Sequence, residues 1–147
     1  MKTTIMILAV ILLLLTPVFL KSKASYESPH EPEPLPKEVT LSDLTMPQLV
    51  DYYAGKHGVN KATMNAVVKC ESGYNPKAVN WSDSHKLSKG SHGVAQFSQQ
   101  TFEQYAKQMG ETYTDPYNPT QALDVMGYML SKGLGYHWTC FRALQGV

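Results

Sequence analysis

Apolar residues recur at intervals of three and four through most of the chain, which is the spacing of amphipathic α-helices. In one such stretch, Met64, Val67 and Val68 fall on the same side of a predicted helix. Asn60 before it is a good capping residue, and Gly73 after it is a good stop. The predicted helices follow Thr45, Asn60, Ser98 and Asn118, and a short final helix starts at about Thr139.

A different pattern separates the second and third predicted helices. The segment 80–97, NWSDSHKLSKGSHGVAQF, is polar and rich in glycine and serine. A small β-hairpin or an irregular loop fits this composition better than a helix does. We therefore predict a mostly α-helical fold of the α+β type, with a minor β element beside the second helix.

The N-terminal segment belongs to no such element. Residues 1–24 combine a basic start, a short apolar run and small residues before Ala24, which predicts a signal peptide cleaved after Ala24. Lys21 and Lys23 directly follow the apolar run, so the alternative is an uncleaved N-terminal membrane anchor. Both alternatives predict an exported protein, located in the periplasm, at the cell surface or outside the cell.

Residues 25–40 form a predicted linker. Proline and glutamate alternate there, and a segment of that composition builds no core and favours an extended spacer. The remaining residues, 41–147, are then the folded domain, and they are enough for a modest core. The chain has two cysteines, and outside the cytosol cysteines pair more often than they stay free.

Composition narrows the class of protein. Hydrophobic residues make up 43% of the 147 residues and charged residues 17%, which is typical of a globular protein. The formal net charge of +1 argues against nucleic acid as a partner, because proteins that bind it usually carry a strong basic excess. We expect the domain to act as a monomer.

One carboxylate is unusually placed. Glu71 is four residues after Val67 and seven after Met64, so it continues the apolar stripe of the second predicted helix. Partial burial and the negative end of the helix dipole both disfavour a charged carboxylate there. General-acid catalysis requires a carboxylic acid that stays neutral, so Glu71 is a candidate acid. The alternative is a glutamate at a helix end that reaches water and does no chemistry.

The other polar residues predict no competing site. The histidines of the predicted domain lack the spacing of metal ligands, so neither a metal nor another cofactor is expected. Asp83 is a candidate second carboxylate, but an aspartate in a loop is more often a turn former. These histidines are His57, His85, His92 and His137.

Three segments carry a family resemblance: CESGYNPKAVN from Cys70, SHGVAQFSQQTFEQYA from Ser91, and DPYNPTQALDVMGYML from Asp115. Together, and in this order, they resemble the soluble lytic transglycosylase (SLT) domain of the lysozyme-like superfamily. The likeness covers about 45–140, and the combination is more specific than any one segment. It implies a lysozyme-like α+β fold and an enzyme that cleaves the glycan strands of peptidoglycan.

The resemblance also implies roles for individual residues. Glu71 matches the family's single catalytic acid/base. Ser72, Gly93 and Gln96 match residues of the substrate site, where Ser72 supports the helix end and Gln96 reaches the sugar. Tyr128 is the match for a tyrosine that lies near the catalytic glutamate. The implied reaction cleaves the β-1,4 bond between N-acetylmuramic acid and N-acetylglucosamine and closes a 1,6-anhydro ring.

The chain departs from the family pattern in two places. Ala95 stands where the family has a bulkier methionine. The segment 134–144, LGYHWTCFRAL, replaces the usual Ala-Tyr-Asn-x-Gly motif, which helps to line the cleft. Trp138 in this segment is either a replacement wall for the sugar or a core residue. The second departure leaves the product of the reaction open.

A related branch bears on the cysteines. Resuscitation-promoting-factor domains similarly carry Cys-Glu-Ser with a second cysteine near the C-terminus, and the two cysteines are bridged. By this resemblance we expect a Cys70–Cys140 disulfide that ties the C-terminal segment to the predicted catalytic helix. Closing a loop of about 70 residues contributes roughly 4 kcal/mol to stability in the chain-entropy model. The alternative is two free buried cysteines.

The sequence is therefore compatible with three alternative functions. The first is a lytic transglycosylase in which Glu71 acts alone as acid and base, consistent with a substrate-assisted route. The second is a hydrolytic lysozyme, in which Asp83 positions an attacking water. The third is a peptidoglycan-binding module without catalytic activity.

Overall fold

A computed structural model of the chain describes residues 40–82 and 89–146. Short 3-10 turns at Leu41–Asp43 and Gly135–His137 precede the first and last helices. The mostly helical α+β class predicted from the sequence is confirmed. The described elements are α1 (Met46–Lys56), α2 (Lys61–Ser72), β1 (Val79–Asn80), β2 (Ser91–His92), α3 (Gln99–Gln108), α4 (Pro119–Ser131) and α5 (Thr139–Gln145).

Three of the predicted capping residues begin the helices. Asn60 Oδ1 accepts the backbone N–H of Thr63 at 2.9 Å, and Ser98 Oγ accepts that of Thr101 at 3.2 Å. The side chain of Asn118 plays the same part at the start of α4. These side chains satisfy backbone donors that have no partner within the first turn of a helix.

The end of α2 is also locally encoded. Gly73 adopts a left-handed backbone conformation with φ of 59°, and its N–H donates to the Lys69 carbonyl at 2.9 Å. Glycine reaches this conformation without the steric penalty that a side chain brings, so the helix stops there. The stop leaves Glu71 and Ser72 in the last turn.

The segment between α2 and α3 contains a hairpin. Strands β1 and β2 pair antiparallel, with Val79 opposite His92. Beyond the ladder, the backbone N–H groups of His92 and Phe97 each donate to the other residue's carbonyl, at 2.8 and 3.0 Å. The turn between them, residues 93–96, is thereby closed by backbone hydrogen bonds at its base.

The predicted apolar stripes meet in one core. Helix α1 packs against α2 and α4, while α3 packs against α4 and α5 against α2. Helix α4 is buried on nearly all sides from Ala122 to Gly127, which makes it the central element of the core. The fully buried apolar side chains include Val50, Met64, Val67, Val68, Phe102, Leu123, Met126 and Met129.

The N-terminal predictions fall outside the part of the chain that the structure describes. The predicted signal peptide or anchor, residues 1–24, and the linker up to residue 39 lie there. Within residues 40–82 and 89–146, no helix has both the length and the apolar character needed to span a bilayer.

Candidate active site

Glu71 lies at the junction of α2 and α5. It is half-buried and follows Met64 and Val67, which are fully buried, along the same face of α2. Its Oε1 accepts the backbone N–H of Cys140, in the first turn of α5, at 3.2 Å. The N-cap residue of α5, Trp138, provides no side-chain cap, so Glu71 supplies an acceptor that the first turn of this helix needs.

A disulfide reinforces the same junction. Cys70 and Cys140 are bonded, with their Cα atoms 6.0 Å apart and a sequence separation of 70. This is the pair expected from the resemblance. Since Cys70 directly precedes Glu71, the covalent link and the carboxylate's hydrogen bond join the same two helices at neighbouring positions. The orientation of the Glu71 side chain is therefore coupled to α5.

Ser72 connects the end of α2 to the turn at 93–96. Its Oγ lies 2.7 Å from the Val94 carbonyl oxygen and 3.2 Å from the Val68 carbonyl oxygen. Both oxygens are within hydrogen-bond distance of the one hydroxyl donor. The hydroxyl thus bridges the last turn of α2 and the turn after β2. This contact holds residues 93–96 against the last turn of α2, the turn that carries Glu71.

Gly93 allows that turn to pack closely against the loop before α4. Its φ is 73°, and a Cβ added at this position would overlap the Pro116 carbonyl oxygen. Its backbone N–H donates to the Ala78 carbonyl at 2.9 Å. Any side chain here would push the turn away from the loop before α4, so the requirement for glycine is steric and conformational.

Gln96 points its amide group back into the same turn. Its φ of 51° is in the left-handed region, and its Nε2 donates to the carbonyls of Gly93 at 2.9 Å and Ala78 at 3.3 Å. These bonds hold the nitrogen of the amide in place. The amide oxygen accepts no hydrogen bond from the residues that the structure describes, so it remains as an oriented acceptor.

Tyr128 lies on α4 beside the end of α1. Its ring meets the His57 ring edge to face, with 6.5 Å between centroids, and Lys132 Nζ lies 5.5 Å from the ring centre. No hydrogen bond joins Tyr128 to Glu71 in the described part of the chain. Its predicted place near the catalytic glutamate therefore stays a prediction.

Trp138 is a core residue. It is 3% exposed, and its Nε1 donates to the Ala95 carbonyl at 2.8 Å. The indole also packs edge to face against Phe97, with ring centroids 5.5 Å apart. Of the two alternatives, the core role describes its environment, and little indole surface is left for a sugar. The two departures from the family pattern, at Ala95 and at Trp138, thus contact each other.

Two residues of the sequence analysis cannot be placed in this site. Asp83, the candidate second carboxylate, and His85 lie outside the described residues. Within residues 40–82 and 89–146, no three side chains of His, Cys, Asp or Glu are grouped to hold a metal ion.

The structure reveals a second buried carboxylate, with three side-chain donors around it, that the sequence pattern did not predict. Asp124 on α4 is 1% exposed and receives Lys56 Nζ at 2.7 Å, His57 Nε2 at 2.6 Å and Tyr113 Oη at 3.0 Å. Burial opposes ionisation of Asp124, but the hydrogen bonds from these three residues outweigh it and lower the pKa of the carboxyl group. Burial and the bond to Asp124 raise the pKa of Tyr113 to about 12.

This Asp124 cluster is a structural clasp. It joins the C-terminal end of α1 to the middle of α4 and to the loop before α4. A carboxylate with this many donors, and almost no exposure, has no access to a substrate. A charged residue within an otherwise apolar helix was the available signal, since a buried charge requires partners.

Comparison with known proteins identifies the family of this chain. Searches among curated proteins and among solved structures found no match. The family model described as the transglycosylase SLT domain matches residues 48–140, a range that contains Glu71, Gln96, Tyr128 and the disulfide. Because this match covers more than half of the chain, the chain belongs to the transglycosylase SLT domain family, whose members act on peptidoglycan.

Proposed function

We propose that this domain is a lytic transglycosylase that cleaves the β-1,4 bond between N-acetylmuramic acid and N-acetylglucosamine and leaves 1,6-anhydro-muramoyl ends. The observation that carries the proposal is the position of Glu71 within a domain of the SLT family. It is half-buried at the end of α2, and the Cys70–Cys140 disulfide fixes the adjacent position.

In the proposed mechanism Glu71 acts twice. As a neutral acid, it protonates the glycosidic oxygen, and the bond from that oxygen to C1 of the muramoyl residue breaks. The acetamido group of the substrate stabilises the developing positive charge at C1. The Glu71 carboxylate then removes the proton from the muramoyl 6-hydroxyl, whose oxygen bonds to C1. The proton returns to Glu71, and no water is consumed.

One contact of Glu71 supports the charged state of the proposed cycle. The Cys140 N–H, 3.2 Å from Oε1, stabilises the carboxylate that exists between the two proton transfers. A residue that alternates between acid and base needs such a donor when it is ionised.

Neighbouring residues have supporting roles in this proposal. The oriented amide oxygen of Gln96 accepts a hydrogen bond from an N–H or hydroxyl group of the sugar. Ser72 and Gly93 position that turn through their contacts with Val94 and Pro116. Tyr128 lies along the substrate path from α4. The protein acts after export, as a monomer, on glycan strands of the cell wall.

Mass spectrometry of digested muropeptides tests the proposal. Purified peptidoglycan is incubated with the wild-type chain and, as a matched control, with the Glu71→Gln variant. We expect products with 1,6-anhydro-muramoyl ends from the wild type and none from the variant. Reducing muramoyl ends would instead identify a hydrolytic lysozyme. A wild-type protein that binds walls of several types without releasing muropeptides would identify a binding module.

A further inference from the structure

Three aromatic side chains form a surface group that the proposed site does not include. Trp81 directly follows β1, His92 lies in β2, and Tyr117 precedes α4. Trp81 and His92 meet edge to face with ring centroids 5.9 Å apart, and the rings of His92 and Tyr117 are 5.3 Å apart. Trp81 is 66% exposed and Tyr117 39%. We name these three residues the aromatic platform.

Two members of the platform, His92 and Tyr117, are held in place by hydrogen bonds. Tyr117 Oη and His92 Nδ1 are joined by a hydrogen bond of 2.8 Å, and the Tyr117 N–H donates to Asp115 Oδ1 at 2.9 Å. His92 is itself held by strand pairing with Val79. Because side chains that are already ordered lose little freedom on binding, more of their contact energy becomes affinity.

The platform is linked to the proposed catalytic region through one hairpin. His92 directly precedes Gly93, at the start of the turn that carries Gln96. Val94 lies two residues after His92, so their Cα atoms are at most about 7 Å apart. Ser72 Oγ, next to Glu71 in sequence, is 2.7 Å from the Val94 carbonyl oxygen. The platform and the proposed catalytic region thus share one hairpin, whose turn is bonded to the last turn of α2.

The chemistry of the platform suits a sugar ring. One face of a pyranose consists of C–H groups, which pack against the flat, apolar face of an indole or phenol ring. Its hydroxyl groups point outward from the rim and keep their contact with water. An exposed tryptophan and an exposed tyrosine, both in contact with the same histidine ring, offer such faces. Apolar surface left in water commonly marks an interaction site.

We infer that the aromatic platform is a subsite that stacks a sugar ring of the glycan strand, at a distance from the bond being cleaved. The inference rests on the proposed function for the identity of the polymer. It adds a positioning role for Trp81, His92 and Tyr117, none of which takes part in the proposed proton transfers.

Tryptophan fluorescence gives a direct test. The chain has two tryptophans, and since Trp138 is 3% exposed while Trp81 is 66% exposed, acrylamide quenching reports mainly on Trp81. The Glu71→Gln variant is titrated with peptide-free glycan strands and, separately, with free stem peptides. We expect the strands to reduce quenching at least twofold and the peptides to leave it unchanged. Shielding by the peptides, or by neither ligand, would overturn the inference.

A second test uses strand length. We expect Trp81→Ala to raise the KM for long strands about three- to tenfold, with kcat nearly unchanged, because an aromatic contact contributes in this range. Disaccharide-length fragments, too short to reach the platform, should show no such change. Trp81→Phe, which keeps a ring, should recover part of the affinity. An equal effect of Trp81→Ala on short and long substrates would mean a general structural defect and contradict the subsite.

The control is an aromatic residue elsewhere on the surface. Tyr52 on α1 is 47% exposed and packs edge to face against Tyr53, so Tyr52→Ala removes a comparable exposed ring. We expect this variant to bind long strands as the wild type does. If strands shield Trp81 but the wild type cleaves nothing, the subsite stands and the proposed function fails. If anhydro ends form and nothing shields Trp81, the proposed function stands and the subsite fails.

Discussion

Glu71 and Asp124 are both carboxylates on core helices, but the fold surrounds them in different ways. Asp124 is 1% exposed and receives hydrogen bonds from the side chains of Lys56, His57 and Tyr113. Glu71 is half-buried and receives a backbone N–H from α5. The first arrangement encloses a carboxylate and stabilises its charged form, whereas the second leaves part of the side chain exposed. Burial and hydrogen-bond donors together fit a structural role for Asp124 and the proposed acid/base role for Glu71.

The largest expected effect is the loss of activity when Glu71 is replaced. Two variants distinguish its proposed acid/base role from its hydrogen bond to α5. We expect Glu71→Gln to lower the rate of turbidity loss of a cell-wall suspension at least about 100-fold, because the acid/base is removed. The glutamine oxygen can still accept the Cys140 N–H, so the thermal unfolding midpoint should stay close to that of the wild type. Glu71→Ala, which also loses the acceptor, is the comparison for stability. Near-normal activity of Glu71→Gln would contradict the assignment.

The disulfide is expected to be the largest stabilising contribution at the Glu71 end. Replacing both Cys70 and Cys140 with serine should lower the free energy of unfolding by roughly 4 kcal/mol, since the unfolded chain regains the freedom of a long loop. Urea unfolding monitored by circular dichroism measures the change. An unfolding midpoint equal to that of the wild type would show that α5 is held in place without the bridge.

Removing the Asp124 carboxylate should lower folding stability without lowering enzymatic activity. Asp124→Asn removes the charge that pairs with Lys56 and His57, and should lower the free energy of unfolding by about 3 kcal/mol. Activity per folded molecule should stay within about twofold of the wild type, because Asp124 has no access to a substrate. Urea unfolding and the turbidity assay, run on the same preparation, measure the two quantities. A large drop in activity with unchanged stability would reverse the roles assigned to the two carboxylates.

The pH dependence of stability should reveal the same residue. The folded state lowers the pKa of Asp124, so its contribution is fully present above the unfolded carboxyl pKa of about 4. It is lost as the pH falls through the lower value of the folded state, with a slope of up to about 1.4 kcal/mol per pH unit. Urea unfolding between pH 2 and 6 (about one point per half unit) should show a shallower acid limb for Asp124→Asn. Identical limbs would exclude Asp124 as a source of acid sensitivity.

The smallest expected effect concerns one donor of the Asp124 clasp. Tyr113→Phe removes the hydroxyl that donates to Asp124 at 3.0 Å but keeps the ring. We expect a loss of about 1 kcal/mol in the free energy of unfolding, as for a single hydrogen bond whose acceptor retains other donors. Differential scanning calorimetry measures it. A loss as large as that of Asp124→Asn would mean that Tyr113 organises the whole cluster.

Features encoded by neighbouring residues could be predicted from the sequence. Asn60, Ser98 and Asn118 cap helices that follow them directly, so a short pattern identifies each start. The face of α2 on which Glu71 lies also follows from its spacing from Val67. These predictions needed no information about how distant parts of the chain meet.

Contacts between distant residues could not be predicted in this way. Lys56 and His57 reach Asp124 across 68 and 67 residues, and no local pattern records such a pairing. The Trp138 indole finds its acceptor at Ala95, 43 residues away, so the sequence left its core and surface roles equally open. The aromatic platform combines side chains from separate segments, and only their assembly in space makes it a surface feature.

The contact between Glu71 and Cys140 also has a consequence for the order in which the domain matures. The two residues are 69 positions apart. The chain loses conformational entropy when such distant segments come together, before their contact can stabilise the fold. A chain made from its N-terminus contains α1 to α4 before Cys140 has been added. The candidate catalytic glutamate therefore acquires its backbone donor and its covalent brace only when the final helix docks. Chain order delays completion of the site until the domain is nearly finished.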